Sequence, residues 1–199
     1  IANELKKLES ALEKTCIQTI FLEKRVAERL SENDAAIFHT HLMILEDRSF
    51  IRKLQNQISN EHSAAYALEK TVADYIEVFQ NMEDPYLRER ATDMEDIGRR
   101  ILANLVGEAT DQVLHLKHPS ILVARQILPS DMAALDNEQI LAIITEVGEK
   151  NAHAIIMAKS MGIPAIVAVR GALKNIAPED SLIVDGNTGR IYINPLETV

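Results

Sequence analysis

The chain has 199 residues, of which 47% are hydrophobic and 26% are charged, and its 30 acidic and 21 basic side chains give a net charge of −9. This composition excludes disorder and fibrous folds and indicates a soluble globular protein with a sizeable core. The negative charge argues against nucleic acid or an anionic membrane surface as the main partner, and it favours a basic protein.

The first part of the chain, residues 1–107, has the periodicity of helices. Its apolar residues recur every three or four positions, with almost no glycine or proline. Such a pattern predicts a helical bundle, here of four or five helices. Because the helices are long relative to their loops, neighbours should pack antiparallel. The predicted helices are 1–30, 32–45, 50–58, 63–82 and 85–105.

Local signals mark where these helices begin and end. Ser31 followed by Asp34 is a capping-box pattern at the start of the second helix. Asp84-Pro85 supplies a cap and a first-turn proline, and Gly107 is the expected terminator. Within the first helix, Cys16 lies in the apolar stripe, so we expect a buried thiol that forms no internal disulfide.

The second part, residues 108–199, changes to short β-rich runs separated by helical pieces. This alternation predicts a small α/β domain. The fold class is therefore α plus α/β, a helical bundle at 1–107 followed by an α/β domain at 108–199. Strands are predicted at 121–124, 141–145, 165–169, 182–184 and 190–193, and helices at 129–135, 152–161 and 171–176.

The most informative motif is GEKNAHAIIMAK at residues 148–159. It places His153 where a glycine-marked loop turns into a short helix, so backbone N–H groups and the positive end of the helix dipole lie beside the imidazole. An imidazole with a pKa of about 6.5 has a free ring nitrogen at neutral pH. We therefore predict a phosphate-carrying histidine, supported by Lys150, Asn151 and Lys159. The alternative is an ordinary helix-start or core histidine.

Other kinds of catalytic site are not apparent. The sequence has no glycine-rich phosphate loop and no serine or cysteine nucleophile with an obvious histidine partner. His39 and His41 are two residues apart in a helix, so they do not share a face and no metal site is expected. No apolar run is long enough to span a bilayer and no signal peptide is recognisable, so we expect a cytoplasmic protein that contacts no membrane.

Residues 148–167, with the tail DGNTGRIYINP at 185–195, resemble the phosphohistidine domain of Enzyme I of the phosphoenolpyruvate-dependent sugar phosphotransferase system. The segments IFHTHLMILED at 37–47 and DPYLRERATDMEDIGRR at 84–100 resemble the helical hairpins of the same family. The resemblance covers nearly the whole chain. It implies a swivelling α/β domain whose His153 is phosphorylated, beside a helical bundle that docks the phosphocarrier protein HPr.

The same resemblance implies the reaction and the partners. His153 would take a phosphoryl group from phosphoenolpyruvate held by a C-terminal domain outside this sequence, and would pass it to HPr. Magnesium is expected on that other domain, and no cofactor is expected on these residues. The docking surface would have an apolar centre and a polar rim. The centre would comprise Met43, Ile44, Phe50, Phe79 and Leu87, and the rim Glu32, Asp47, Arg90 and Asp93.

Several positions depart from the family pattern. Glu149 replaces the second glycine of the loop, Ala152 replaces a serine, and Met132 stands where the family has a threonine that can bond the active histidine. Lys159 replaces a common arginine and keeps the charge without its bidentate fork. Two alternatives therefore remain open: a docking module without catalysis, and a related phosphotransfer protein. The latter is the Enzyme I-like segment of the phosphoryl donor of dihydroxyacetone kinase, or nitrogen-related Enzyme I.

Overall fold

The computed structural model describes residues 1–60, 62–108, 116 and 118–196. The chain divides into two compact units, Ile1–Gln112 and Val113–Val199. Within the described residues, the first unit contains helices and the second contains strands with short helices, which confirms the predicted fold class. Among the described residues, no helix has both the length and the apolar character needed to cross a membrane.

Five helices form the described part of the first unit, and their limits agree with the predictions to within about two residues. A side-chain oxygen caps the first turn of four of these helices: Ser31 accepts from the Asp34 N–H at 3.1 Å, and Asp84 accepts from the Tyr86 N–H at 2.8 Å. The helices are α1 (Ala2–Arg29), α2 (Glu32–Leu45), α3 (Arg48–Ser59), α4 (Ala64–Gln80) and α5 (Pro85–Val106).

The five helices share one hydrophobic core. Helix α1 packs against α2 and α5, and α4 packs against α3 and α5. Fully buried aliphatic and aromatic side chains fill the space between them, including Phe50, Leu54 and Ile97. Cys16 lies at the border of this core and is half-buried, so the prediction of a buried thiol was too strong. Its partial burial still raises the pKa of the thiol.

A polar seam joins α1 to α5 inside the bundle. The Arg100 guanidinium, 4% exposed, donates to the Thr19 hydroxyl at 2.7 Å and to the Thr15 carbonyl at 3.3 Å. One turn further along α5, the Asn104 amide donates to the Thr15 hydroxyl at 2.9 Å. Both threonines are fully buried. The seam supplies hydrogen-bond partners to polar groups that would otherwise lose hydration without compensation.

The second unit is built on a three-stranded parallel sheet in the order β1-β2-β3, so β2 is the central strand. Two further strands, β4 and β5, pair antiparallel as a separate hairpin. The strands are β1 (Ser120–Ala124), β2 (Ile140–Thr145), β3 (Ala165–Ile166), β4 (Leu182–Asp185) and β5 (Arg190–Ile193), and the helices are α6 (Pro129–Ala134), α7 (His153–Ser160) and α8 (Ala172–Asn175).

Strand β3 is shorter than predicted. The expected strand at 165–169 ends at Ile166, because Ala168 has a φ of 60°. That left-handed backbone conformation interrupts the extended chain and is unfavourable for a residue with a Cβ atom. The strained residue lies two positions after the end of β3, the strand that neighbours β2.

Replacing Ala168 with glycine should raise the free energy of unfolding of the second unit by about 1 kcal/mol, because glycine adopts positive φ without the steric cost. Denaturant unfolding followed by far-UV circular dichroism measures the change. The control is Ala158→Gly in α7, which should lower the same free energy because glycine is unfavourable in a helix. A lowered stability of Ala168→Gly would contradict the prediction.

Candidate functional site

The carboxyl end of β2 is held firmly between its two neighbouring strands. This is the edge of a parallel sheet at which ligands bind in open α/β folds. Backbone hydrogen bonds continue beyond the strand on both sides: Glu146 N–H to Ala124 O at 3.1 Å, Val147 N–H to Arg125 O at 2.9 Å, and Val169 N–H to Thr145 O at 2.9 Å. The sheet therefore provides a fixed base for the loop that follows.

That loop, residues 148–152, leads into α7. Gly148 has a φ of 132°, a conformation that glycine adopts readily and other residues rarely do. The Ala152 N–H donates to the Glu149 carbonyl at 3.1 Å, which closes a turn, and α7 begins at His153. Ala152 makes no side-chain cap hydrogen bond. The Ala152 carbonyl accepts from the Ile155 and Ile156 N–H groups at 2.9 and 3.0 Å, so the start of α7 is closed by backbone bonds and not by a side chain.

His153 is half-buried at the first position of this helix. The Lys159 ammonium reaches back along α7 and donates to the Lys150 carbonyl at 3.5 Å, which places its positive charge beside the loop. Lys150, Asn151 and Lys159 are exposed. The structure therefore brings together a histidine, a helix N-terminus and a cation, an arrangement that can stabilise a negatively charged group on the imidazole.

Two of the departures from the family pattern have clear positions. Glu149 is exposed. Met132 is completely buried in α6, which packs against α7. A methionine at this position contributes apolar packing and offers no hydroxyl group to a ring nitrogen.

The residues predicted for a docking surface do not all lie on the surface of the helical unit. Met43 and Leu87 are 63% and 38% exposed. Glu32 and Asp47 are also exposed, while Ile44, Phe79 and Arg90 are half-buried. Phe50 and Asp93 are 2% and 1% exposed, so they lie in the interior of this unit and do not belong to its accessible surface.

Tertiary packing explains why these two side chains are interior. Phe50 faces the shared core and contacts the Tyr75 ring edge-on. The Asp93 carboxylate lies 3.3 Å from the Arg90 guanidinium and 3.8 Å from the ring of His41, which is itself fully buried. Arg90 also donates to the exposed Tyr86 hydroxyl at 2.8 Å. The arginine thus connects a buried carboxylate to the surface.

Asp47 is exposed and also stabilises the start of α3. Its carboxylate accepts hydrogen bonds from the Ser49 hydroxyl and from the Phe50 N–H, and these bonds lower the pKa of Asp47. The residue is the N-cap of α3. It remains negatively charged and accessible while it fixes the turn between α2 and α3.

The structure adds two residues near the loop that sequence reasoning missed. The Glu146 carboxylate accepts from the Leu173 N–H at 3.1 Å, which ties the end of β2 to the first turn of α8. Thr145 is the last residue of β2 and is 1% exposed. The sequence could have pointed to Thr145 and Glu146, because both lie at the end of a predicted parallel strand, shortly before the glycine of the loop.

Each unit matches a known protein family in its sequence. Residues 1–90 match the N-terminal region of PEP-utilising enzymes, and residues 116–189 match the mobile domain of PEP-utilising enzymes. Both units therefore resemble regions of PEP-utilising enzymes.

Two similar solved structures identify the family within this class. A solution NMR structure of Enzyme I (nEIt) is 32% identical, with a TM-score of 0.72 over 99% of this chain and 80% of that one. The N-terminal domain of Enzyme 1 - Nitrogen is 28% identical with a TM-score of 0.62. The chain belongs to the Enzyme I family.

Curated relatives carry the name phosphoenolpyruvate-protein phosphotransferase. The protein of Staphylococcus carnosus is 32% identical over 98% of this chain, and that of Geobacillus stearothermophilus is 33% identical over 96%. The chain spans 34% and 33% of those two proteins. It thus corresponds to about a third of the length of the curated relatives it matches.

Proposed function

We propose that this chain carries a phosphoryl group on His153 as an intermediate between phosphoenolpyruvate and the phosphocarrier protein HPr. The observation that carries the proposal is the position of His153 at the start of α7, with the Lys159 ammonium beside the preceding loop. Membership of the Enzyme I family supports it. The relatives' name, phosphoenolpyruvate-protein phosphotransferase, describes the same overall reaction.

The chemistry requires little from the chain beyond positioning and charge stabilisation. The lone pair of a His153 ring nitrogen attacks phosphorus and forms an N–P bond. The bond from phosphorus to the enol oxygen of phosphoenolpyruvate breaks, and that oxygen keeps the electron pair as enolpyruvate leaves. Helix N–H groups and Lys159 stabilise the negative charge on the phosphoryl oxygens. In the second transfer, a histidine nitrogen of HPr attacks phosphorus and the N–P bond to His153 breaks. His153 keeps the electron pair of that bond and returns to its unphosphorylated form.

We propose that phosphoenolpyruvate binds elsewhere in the complete protein, together with the magnesium that assists its cleavage. The residues of this chain that would receive HPr are the accessible members of the predicted surface. Met43 and Leu87 provide exposed apolar area, and Glu32 and Asp47 provide negative charge. The net charge of −9 would steer a basic carrier toward the chain.

The test is incubation of the chain with phosphorylated HPr, followed by intact mass measurement. We expect a gain of one phosphoryl group that is stable in base and labile in acid, as a phosphoramidate bond is. A carrier that binds without transferring phosphate would instead support a docking module without catalysis, the alternative based on Glu149, Ala152 and Met132. Absence of both binding and transfer with HPr, but transfer with the carrier of the nitrogen or dihydroxyacetone kinase branch, would assign the chain to that branch.

Lys159 provides a graded test of charge stabilisation at the same site. Lys159→Gln should slow phosphoryl transfer from HPr about tenfold to a hundredfold, because it removes the cation beside the loop. Lys159→Arg should retain most of the rate, since it keeps the charge. The measurement is the initial rate of phosphate incorporation from phosphorylated HPr.

Lys150→Gln is the matched control for that substitution. Lys150 contributes only its backbone carbonyl to the contact, and the substitution keeps that carbonyl. Its replacement should therefore change the rate less than threefold, roughly the effect of a screened surface charge. Equal losses in the two glutamine variants would contradict the assigned role of Lys159.

A further inference from the structure

Thr145 has an unusual combination of burial and missing hydrogen bonds. Its side chain is 1% exposed, and among the described residues its hydroxyl oxygen has no hydrogen-bond partner. Buried hydroxyl groups in proteins are nearly always bonded, because leaving one unpaired forfeits its interaction with water. A group of this kind at the carboxyl end of a central parallel strand calls for an explanation.

The neighbours of this hydroxyl are the loop and the segment after β3. A Cβ atom built on Gly148 would lie 3.6 Å from the Thr145 hydroxyl oxygen and 3.8 Å from the Val167 side chain. Gly148 is therefore a neighbour of the threonine hydroxyl, and a side chain at this position would be in van der Waals contact with it. Four residues separate Gly148 from His153, and the peptide groups between them form the loop that leads into α7.

The surroundings of the hydroxyl combine a fixed base with an adjustable loop. Thr145 is held by the Val169 N–H bond to its carbonyl, so the threonine itself has little freedom to move. Gly148 has a positive φ that glycine can exchange for other conformations at low cost. A small rotation of the peptide groups at Gly148 would bring one of them into reach of the hydroxyl, which can donate one hydrogen bond and accept two.

We propose that the Thr145 hydroxyl is a positioning residue for the histidine loop, hydrogen-bonded to a peptide group at Gly148 when His153 carries a phosphoryl group. The inference rests on the proposed function of His153. In the unphosphorylated chain the hydroxyl is unpaired and destabilises the unit. Phosphorylation draws loop N–H groups toward the phosphoryl oxygens, and the resulting turn of the loop pairs the hydroxyl. The threonine thereby stabilises the phosphorylated form relative to the free form.

Thr145→Val provides the main test, because valine has nearly the same shape and lacks the hydroxyl. The unphosphorylated variant should melt at the same temperature as the wild type or higher. The equilibrium of phosphoryl exchange with HPr should move about tenfold toward phosphorylated HPr, which corresponds to the loss of one hydrogen bond in the phosphorylated chain. Thr145→Ser keeps the hydroxyl and should restore the wild-type equilibrium.

The outcomes separate this inference from the proposed function. A wild-type chain that accepts no phosphoryl group from HPr, or from the carrier of the nitrogen or dihydroxyacetone kinase branch, would overturn both. A wild-type chain that is phosphorylated on His153, with the same exchange equilibrium in Thr145→Val, would overturn the role of Thr145 alone. If the valine variant does not fold, a wild-type equilibrium in Thr145→Ala would likewise overturn it, and a tenfold shift in Thr145→Ala that Thr145→Ser lacks would support it.

Discussion

Replacing His153 with alanine is expected to abolish all phosphate incorporation from phosphorylated HPr while leaving HPr binding unchanged. The side chain supplies the attacking nitrogen, and no other residue of the loop has a nucleophile of comparable basicity. Because His153 is only half-buried and begins α7, its removal should leave the fold intact. Intact mass spectrometry after incubation with phosphorylated HPr measures incorporation, and titration calorimetry measures carrier binding.

His118→Ala is the matched control for this loss. His118 is an exposed histidine of the same unit, so its replacement should leave incorporation at the wild-type level. Phosphate that persists in His153→Ala and disappears in His118→Ala would show that His118, and not His153, is the phosphorylated residue. Phosphate that persists in both variants would show that neither histidine carries it.

The second large effect is expected on stability. Replacing Arg100 with alanine should lower the free energy of unfolding of the helical unit by about 4 kcal/mol. The substitution removes a buried side chain and leaves a cavity, and it removes the bond to the Thr19 hydroxyl and the bond to the Thr15 carbonyl. Both threonine side chains are fully buried, so water does not readily take the place of the guanidinium.

Denaturant unfolding followed by far-UV circular dichroism measures this change. Arg52→Ala is the control, because Arg52 is exposed on α3 and its replacement should alter stability by less than about 0.5 kcal/mol. A loss below about 1 kcal/mol in Arg100→Ala would show that the seam between α1 and α5 contributes little. The comparison separates loss of a buried network from loss of a positive charge.

The location of the helices was predictable from the sequence because their end signals are local. The bond from the Asp34 N–H to Ser31 and that from the Tyr86 N–H to Asp84 join atoms two or three residues apart, so a short window of sequence contains the whole interaction. The histidine motif was accessible for the same reason. Gly148, His153 and Lys159 lie within twelve consecutive residues, which span one loop and one short helix.

The roles of individual side chains on the helices depended on packing between distant segments. Phe50 belongs to the regularly spaced apolar residues of α3. That spacing does not predict which of them are covered by other helices and which remain on the surface. Asp93 is buried because α5 and α2 bring it beside His41, which lies 52 positions earlier in the chain. Sequence periodicity identifies a helix face, whereas burial depends on which other helix covers that face.

The sequence by itself determined the two-part fold, the limits of the helices and the histidine loop, since each follows from interactions within a few consecutive residues. Only the tertiary structure decided that Arg100 pairs with Thr15 and Thr19, that Phe50 and Asp93 are interior, and that Thr145 lies unpaired beside Gly148. Arg100 and Thr19 are 81 positions apart, and the Thr145 environment requires β3 to lie beside β2. Such contacts depend on how helices and strands pack together, which no local pattern of residues specifies.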